Sequence, residues 1–340
     1  MTTEAQIDEQ IRDEQAITQS GLRRLATGNA AYIFVIDLVL ILCFTLLSRN
    51  HVFFSWLNAT SMMSAIAEAL LLAAGLTMML SAGMFDLSLG ANLILSSVCG
   101  ALVVRQLHGA PSLWVVLLPL LACVAAGLVF GLVNGVIIAY LRVNSLIATL
   151  GTLGIGTGFA FVITHGSDFA EFPPALESFG ATVWFHIPVV TFVGLAGCLV
   201  LWAVLRYTRY GLRTLTIGSN AAAAERNGLQ VRPHLVSLAV LTGGLAGLSG
   251  FLDLGLFGAT NTGGHTLDAL TALTAAVIGG TSLSGGRASM FGTVWGTVLG
   301  ILLLNGLVVL DVQSFYQQVA TGVILIVAVA VDGMRYRRRE

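Results

Sequence analysis

Ten apolar runs separated by short polar stretches occupy the chain beyond its first thirty residues, near 31–48, 60–82, 85–106, 112–140, 145–165, 182–205, 234–257, 267–283, 288–310 and 314–334. A helix needs about 20 apolar residues to cross the hydrocarbon core of a bilayer. Each run is continuous, whereas barrel strands would alternate over about ten residues. The pattern predicts an all-α polytopic membrane protein with about ten transmembrane helices. The third and eighth runs are the least regular, because glycine and polar residues interrupt their ends.

The arginines give the spans a direction. With both termini in the cytoplasm, Arg12, Arg23, Arg24, Arg142, Arg206, Arg209, Arg213, Arg226, Arg232, Arg287, Arg335, Arg337, Arg338 and Arg339 fall inside, and only Arg49 and Arg105 fall outside. That asymmetry satisfies the positive-inside rule. Removing one span would put many arginines on the wrong side. Residues 1–28 then form a cytosolic tail without the basic start and small-residue cleavage site of a signal peptide. Residues 29–336 form the membrane domain, and 337–340 a basic C-terminal tail.

The fourth and ninth runs resemble each other. Gly127, Gly131 and Gly135 in one, and Gly292, Gly296 and Gly300 in the other, draw a stripe along one helix face where another backbone can approach closely. Both then end alike, "LVNGVIIAYLRVNS" (132–145) against "LLNGLVVLDVQS" (303–314). The two lie five spans apart and cross in opposite directions. This predicts an inverted internal repeat, spans 2–5 and 7–10, as in many transporters; chance similarity between glycine-rich helices is the competing explanation.

Composition sharpens the class. Hydrophobic residues make up 56% and charged residues 10% of the chain, against about 25% charged in a soluble domain. Net charge near zero gives no support for a nucleic-acid partner. All sixteen basic residues are arginine, so a GxxxxGK[ST] phosphate loop cannot exist here. Cys43, Cys99, Cys123 and Cys198 sit in apolar runs without CxxC spacing and read as core residues. The six histidines form no HxxxH or HExxH pair, so no metal site is expected. No nucleophile–base pair suggests an intramembrane enzyme.

Some polar residues stand where a bilayer would penalise them. In "GMFDLSLG" (83–90), glycines permit a break in the helix, and Asp86 and Ser88 can bond the freed amides. Asp86 is expected to cap the third span at a protein-lined break, with gating, solute contact or an ordinary loop as alternatives. Glu68, in the middle of the second span, should face the bundle interior. Asn92, Asn134, Thr149, Thr152 and Asn305 could line a path for a hydroxyl-rich solute, or could equally tie helices together. Asp37 in the first span has no clear role.

Between spans six and seven, residues 206–233 carry five arginines and include "GSNAAAAERNG". Ser219 or Asn220 can cap a short helix through the alanines, and Asn227 or Gly228 can end it. Such an element suits a groove on a partner; a basic loop that only fixes topology is the plainer reading. The loop 166–181, with Asp168, Glu171, Glu177 and the Pro173–Pro174 pair, is either a stiff solvated loop or a contact for a further partner.

Four stretches in order resemble the permease subunit of ribose-type, carbohydrate-uptake bacterial ABC importers: "GMFDLSLGA", "NGVIIAYLRVNSLIATLGTL", "YGLRTLTIGSNAAAAERNGLQV" and "AAVIGGTSLSGGRASMFGTVWG". The likeness covers roughly residues 60–334. Met84 replaces a usually small residue, and Asn144 and Ser145 stand where proline and phenylalanine are usual. The resemblance implies an inner-membrane transport subunit, not an enzyme, that moves a pentose, polyol or related carbohydrate. It implies a coupling helix over Gly218–Gly228, with Gly218, Asn220, Ala223, Ala224, Arg226 and Gly228 against a cytosolic ATP-binding subunit. ATP and magnesium would then sit on that partner and no cofactor on this chain. A periplasmic sugar-binding protein and a second permease copy complete the expected assembly. The alternatives are an ion-coupled secondary transporter, with Glu68 or Asp86 as proton carrier, and an ABC permease for branched-chain amino acids.

Overall fold

A computed structural model describes residues 29–107, 109–170, 172–323 and Ile326. The two tails, about half of the tenth run, His108 and Glu171 lie outside the described residues. The chain runs as α1 (Asn29–Leu47), a 3₁₀ turn (Arg49–Phe54), α2 (Trp56–Ser81), α3 (Leu89–Val104), α4 (Ser112–Ala139), α5 (Ser145–Thr164) and α6 (Pro174–Ala181). A small hairpin, β1 (Val183–Trp184) and β2 (Ile187–Pro188), leads into α7 (Val189–Tyr207). Then follow α8 (Arg209–Ser219), α9 (Ala221–Arg226), α10 (Val231–Phe257), α11 (Asp268–Ile278) and α12 (Met290–Val309). A further helix, α13, begins at residue 314 and is described to 323.

Every expected span has its helix, but seven of the described helices, and not ten, are long and apolar enough to cross a membrane. Of the other three runs, the tenth is described only in part, and the third and eighth are short helices. α3 has 16 residues and α11 has 11, about 24 and 16 Å at 1.5 Å per residue, short of the roughly 30 Å core. Non-helical backbone precedes each, at 83–88 and 258–267. Such backbone survives at membrane depth only inside protein, and both short helices are mostly buried.

The internal repeat is realised in the packing. α10 packs on α3 and α4, and α2 packs on α11 and α12; α3 packs on α4 as α11 does on α12. Exchanging α2 with α10, α3 with α11 and α4 with α12 maps this set of contacts onto itself. α2 and α10 also touch each other, so they lie on the exchange axis. Thr242 of α10 donates to the Gly75 carbonyl (3.3 Å) and Ser249 to the Glu68 carbonyl (3.0 Å). The buried core gathers on these two helices, including Leu70, Leu72, Leu76, Met79, Leu238 and Ala246.

The bundle has two distinct ends. One carries the 83–88 break, the α4–α5 connection, α8, α9 and the 279–289 loop, brought together by contacts described below. The other carries α6, the hairpin and the 258–262 segment, where Thr260 bonds Phe169 and Ala259 bridges Ala170. Arg105 lies at this second end, over the Phe169 ring at 4.6 Å.

Candidate functional site

The 206–233 segment folds as two helices where one was expected. Thr208 caps α8, accepting from the Gly211 amide at 3.2 Å. Asn220 then caps α9, its Oδ1 accepting from the Ala223 amide at 2.9 Å, while Ser219 bonds back to the Leu215 carbonyl. The stop is Asn227 followed by Gly228 in the left-handed region, φ 82°. The Leu229 amide closes the turn on the Ala224 carbonyl at 3.1 Å. Ala221, Ala222, Glu225 and Arg226 are exposed, Ala223 is half-buried and Ala224 is buried. Ala224, expected on the partner-facing side, therefore points into the chain and seats α9 on its own body. The exposed face next to it is the one available to another protein.

The end of α8 is wedged into both repeats. A Cβ on Gly218 would collide with the Ser81 carbonyl and with the Gly286 amide. A Cβ on Gly285 would crowd the Gly218 carbonyl and the Gly83 amide, and one on Gly286 would collide with Ser219. The Gly286 amide donates to the Ser81 carbonyl at 3.0 Å. Gly83, Gly285 and Gly286 all have φ between 73° and 83°, a conformation glycine adopts without the strain a side chain brings. One backbone junction thus joins α8, the break of the first repeat and the Gly-Gly-Arg loop of the second. Beside it, a cleft of about 540 Å³ opens between α8 and the start of α10, lined by Tyr210, Arg213, Gln230, His234 and others.

The 83–88 break is held by side chains around it. Asp86, 2% exposed, accepts from the Ser88 amide (2.9 Å) and hydroxyl (2.6 Å). Its expected capping of α3 is not made. Ser88 is the residue before the helix, its side chain caps nothing, and Asp86 fixes the turn that presents it. Asn134 of α4 donates to the Ser88 hydroxyl at 2.8 Å. Ser145 and Thr149 of α5 accept from the Phe85 and Leu87 amides at 3.1 and 3.2 Å. Thr152 donates to the Thr149 carbonyl within α5. Two of the three unusual residues have local uses: Asn144 caps α5 by accepting from the Leu146 amide, and Ser145 secures the break.

The remaining polar candidates are divided between helix pairs. Asn92 donates to the Gly127 and Gly243 carbonyls (3.4 and 3.3 Å), where α4 and α10 cross, and accepts from Ser96. Asn305 and Asn58 exchange paired amide bonds of 3.0 Å between α12 and α2. Glu68 faces the interior as expected, near His265. Asp37 is buried on α1, and both its carboxylate oxygens lack a hydrogen-bond partner; nothing around it explains the residue. At the far end, Asp168 accepts from the Thr260 hydroxyl and from the amide and hydroxyl of Thr262, all within 3.1 Å. Asp168 thereby ties one loop of this chain to another. Sequence reading missed Ser145, whose role needs the break as its neighbour, and Asp253, His265 and Asp268, which meet Glu68 only in three dimensions.

Residues 58–329 match the family model described as branched-chain amino acid transport system / permease component. The galactose/methyl galactoside import permease protein MglC of Salmonella typhimurium is 31% identical over 91% of this chain and 95% of its own length. The ribose import permease protein RbsC of Bacillus subtilis is 35% identical over 83% of this chain and 87% of its own. RbsC of Escherichia coli K12 is 33% identical over 88% and 92% respectively. No solved structure matches the chain.

Proposed function

The chain belongs to the permease subunits of carbohydrate-uptake ABC importers, and from that premise we propose that it forms the translocation path of an ATP-driven sugar importer working by alternating access. The substrate class is a pentose, hexose or related polyol, after the ribose and galactose named in its relatives. A cytosolic ATPase subunit holds ATP and magnesium, and a periplasmic binding protein delivers the sugar. The observation that carries this reading is the junction of Gly218 with Ser81, Gly285 and Gly286. A push on α8 and α9 reaches both repeats through backbone contact, with no flexible side chain to absorb it. The exposed face of α9 and the neighbouring cleft are the docking surface. ATP binding then shifts the population between outward- and inward-open states through differential contacts on that surface.

A second permease copy is proposed to lie against α5. That helix buries only Ala148, Thr149, Thr152, Gly156, Ala160 and Thr164. Its remaining faces are open: a methyl group added at Gly151, Gly154 or Gly158 would meet nothing within 4 Å. The sugar path runs between the two copies, next to the break that α5 holds.

The test is a cross-link combined with an uptake assay. With Cys43 replaced by serine, Ala222→Cys should form an ATPase cross-link that blocks sugar uptake into proteoliposomes, and reduction should restore it. Uptake driven by a proton or sodium gradient without the ATPase would favour an ion-coupled transporter instead and sink this assignment.

A further inference from the structure

Three carboxylates and one imidazole meet inside the bundle, at the point where the second break approaches the start of α3. Gly90, in the first turn of α3, lies so close to the His265 carbonyl that a Cβ there would collide with it. His265 Nδ1 is 2.7 Å from Asp268 Oδ2 and 3.6 Å from Glu68 Oε1, and its Nε2 is 3.1 Å from Asp253 Oδ1. Glu68 and His265 are each 8% exposed and Asp253 is fully buried. Among the described residues these are the only ion pairs, and no arginine joins them.

The cluster is short of partners. One imidazole nitrogen faces both Asp268 and Glu68, and it can give at most one hydrogen. Glu68 Oε1 is buried in the cluster without any hydrogen-bond partner, as is Asp253 Oδ2. A buried carboxylate oxygen left bare costs on the order of 1–3 kcal/mol or more, so something beyond the four side chains should engage it. Even a charged imidazole leaves an excess of two negative charges when all three carboxylates are ionised, and Glu68 and Asp253 are buried where charge is poorly solvated.

We propose that Glu68 Oε1, Asp268 Oδ2 and His265 Nδ1 bind one divalent cation of the zinc kind. The three ligand atoms lie within 4.8 Å of one another. A tetrahedral ion with bonds of about 2.0–2.1 Å needs ligands roughly 3.3 Å apart, within reach of small side-chain rotations. His265 then uses Nδ1 as ligand and donates from Nε2 to Asp253, the outer carboxylate that commonly orients a metal-bound histidine. A nitrogen ligand favours zinc over manganese and magnesium, which prefer oxygen ligands, and magnesium also keeps its waters. The ion would fasten α2 to the start of α11, with α10 steadying the ligand. It would thus close the break of the second repeat, as Asp86, Ser88 and Asn134 close that of the first.

The experiment uses the full-length chain in detergent, stripped with chelator, then incubated separately with Zn²⁺, Mn²⁺ and Mg²⁺ and desalted. Elemental analysis should find about one zinc per chain, with manganese and magnesium lost on desalting, and a higher melting temperature for the zinc-loaded protein. Glu68→Gln and Asp268→Asn should abolish retention, and Asp253→Asn should weaken it by about 10–100-fold. Wild-type protein loaded with Co²⁺ should show the visible absorption of a tetrahedral site, a readout independent of how the variants fold. Wild-type protein that retains no ion and gives no cobalt spectrum would mean that protons alone fill the cluster, overturning the proposal. Retention unchanged in folded Glu68→Gln protein would overturn it equally.

Discussion

The two repeats use the same helices in the same order but close their equivalent crossings by different means. In the crossing of α4 on α10, Gly127 and Gly131 press on Gly243, Gly247 and the Ala239 carbonyl, backbone against backbone. The exchange-related crossing of α12 on α2 is made by side chains: Thr293 with Thr77 at 2.8 Å, and Asn305 with Asn58. The second glycine stripe is turned elsewhere. Gly292 and Gly296 meet Gly279, just after α11, and Ala275 of α11, while Gly300 has only the Thr271 methyl at 3.7 Å. The same sequence signal thus marks a crossing between repeats in one half and a contact within a repeat in the other. A backbone crossing has no room for an added carbon, whereas a side-chain crossing can repack. The first half therefore offers the stiffer joint, and the backbone junction at Gly218 bears on both.

The sharpest test compares the two stripes directly. Gly131→Ala puts a methyl group into the Ala239 carbonyl and should cost at least about 1–3 kcal/mol, the usual range for overpacking. It should show as lost monodisperse protein and a lower melting temperature. Gly300→Ala meets only ordinary van der Waals contact and should be neutral, or stabilise by up to about 1 kcal/mol through helix propensity. Equal losses at both sites would show that the halves do not differ in stiffness.

A smaller effect separates the two breaks. Asp86→Ala strips the buried Ser88 amide and hydroxyl of their acceptor, at about 1–3 kcal/mol, so less assembled protein should reach the membrane. Asp168→Ala removes three bonds, but Asp168 is exposed and water replaces most of what is lost; its cost should stay near or below about 1 kcal/mol. Western quantification of membrane-inserted protein and sugar uptake per assembled copy distinguish the cases. Normal assembly with abolished uptake in Asp86→Ala would move that residue from a structural role to a gating one.

What could be read from the sequence follows from the range of each interaction. The Asn220 cap and Gly228 stop depend on residues three to eight apart, and both stand where local chemistry puts them. The long spans depend only on summed hydropathy. The breaks at 83–88 and 258–267 were harder to delimit. Met84, Phe85, Leu87 and Leu267 are as apolar as the helices they precede, so hydropathy merges break and helix into one span. The directions of Asn92 and Asn305 required their partners: Asn92 finds carbonyls on two other helices, and Asn305 finds Asn58 across 247 residues. The inward turn of Ala224 was hidden for a related reason, since an alanine run offers four equivalent faces and only the seating of α9 selects one.

The least disruptive change probes the side-chain crossing itself. Asn305→Ala leaves Asn58 half-buried, still donating to the Phe53 carbonyl at 2.8 Å, so only the reciprocal amide pair is lost. Interhelical hydrogen bonds in membranes average about 0.6 kcal/mol and reach about 1.7 at most. A double-mutant cycle of Asn58→Ala and Asn305→Ala, read by unfolding in detergent, should therefore give a coupling energy in that range. The outcome bears on transport as well as stability. If α2 and α12 shift against each other while α4 and α10 move as one body, the weaker crossing is where the shift occurs. Uptake should then tolerate Asn305→Ala better than any glycine change in the first stripe. A coupling energy as large as the Gly131→Ala loss would make both crossings equally rigid and remove the mechanical asymmetry between the repeats.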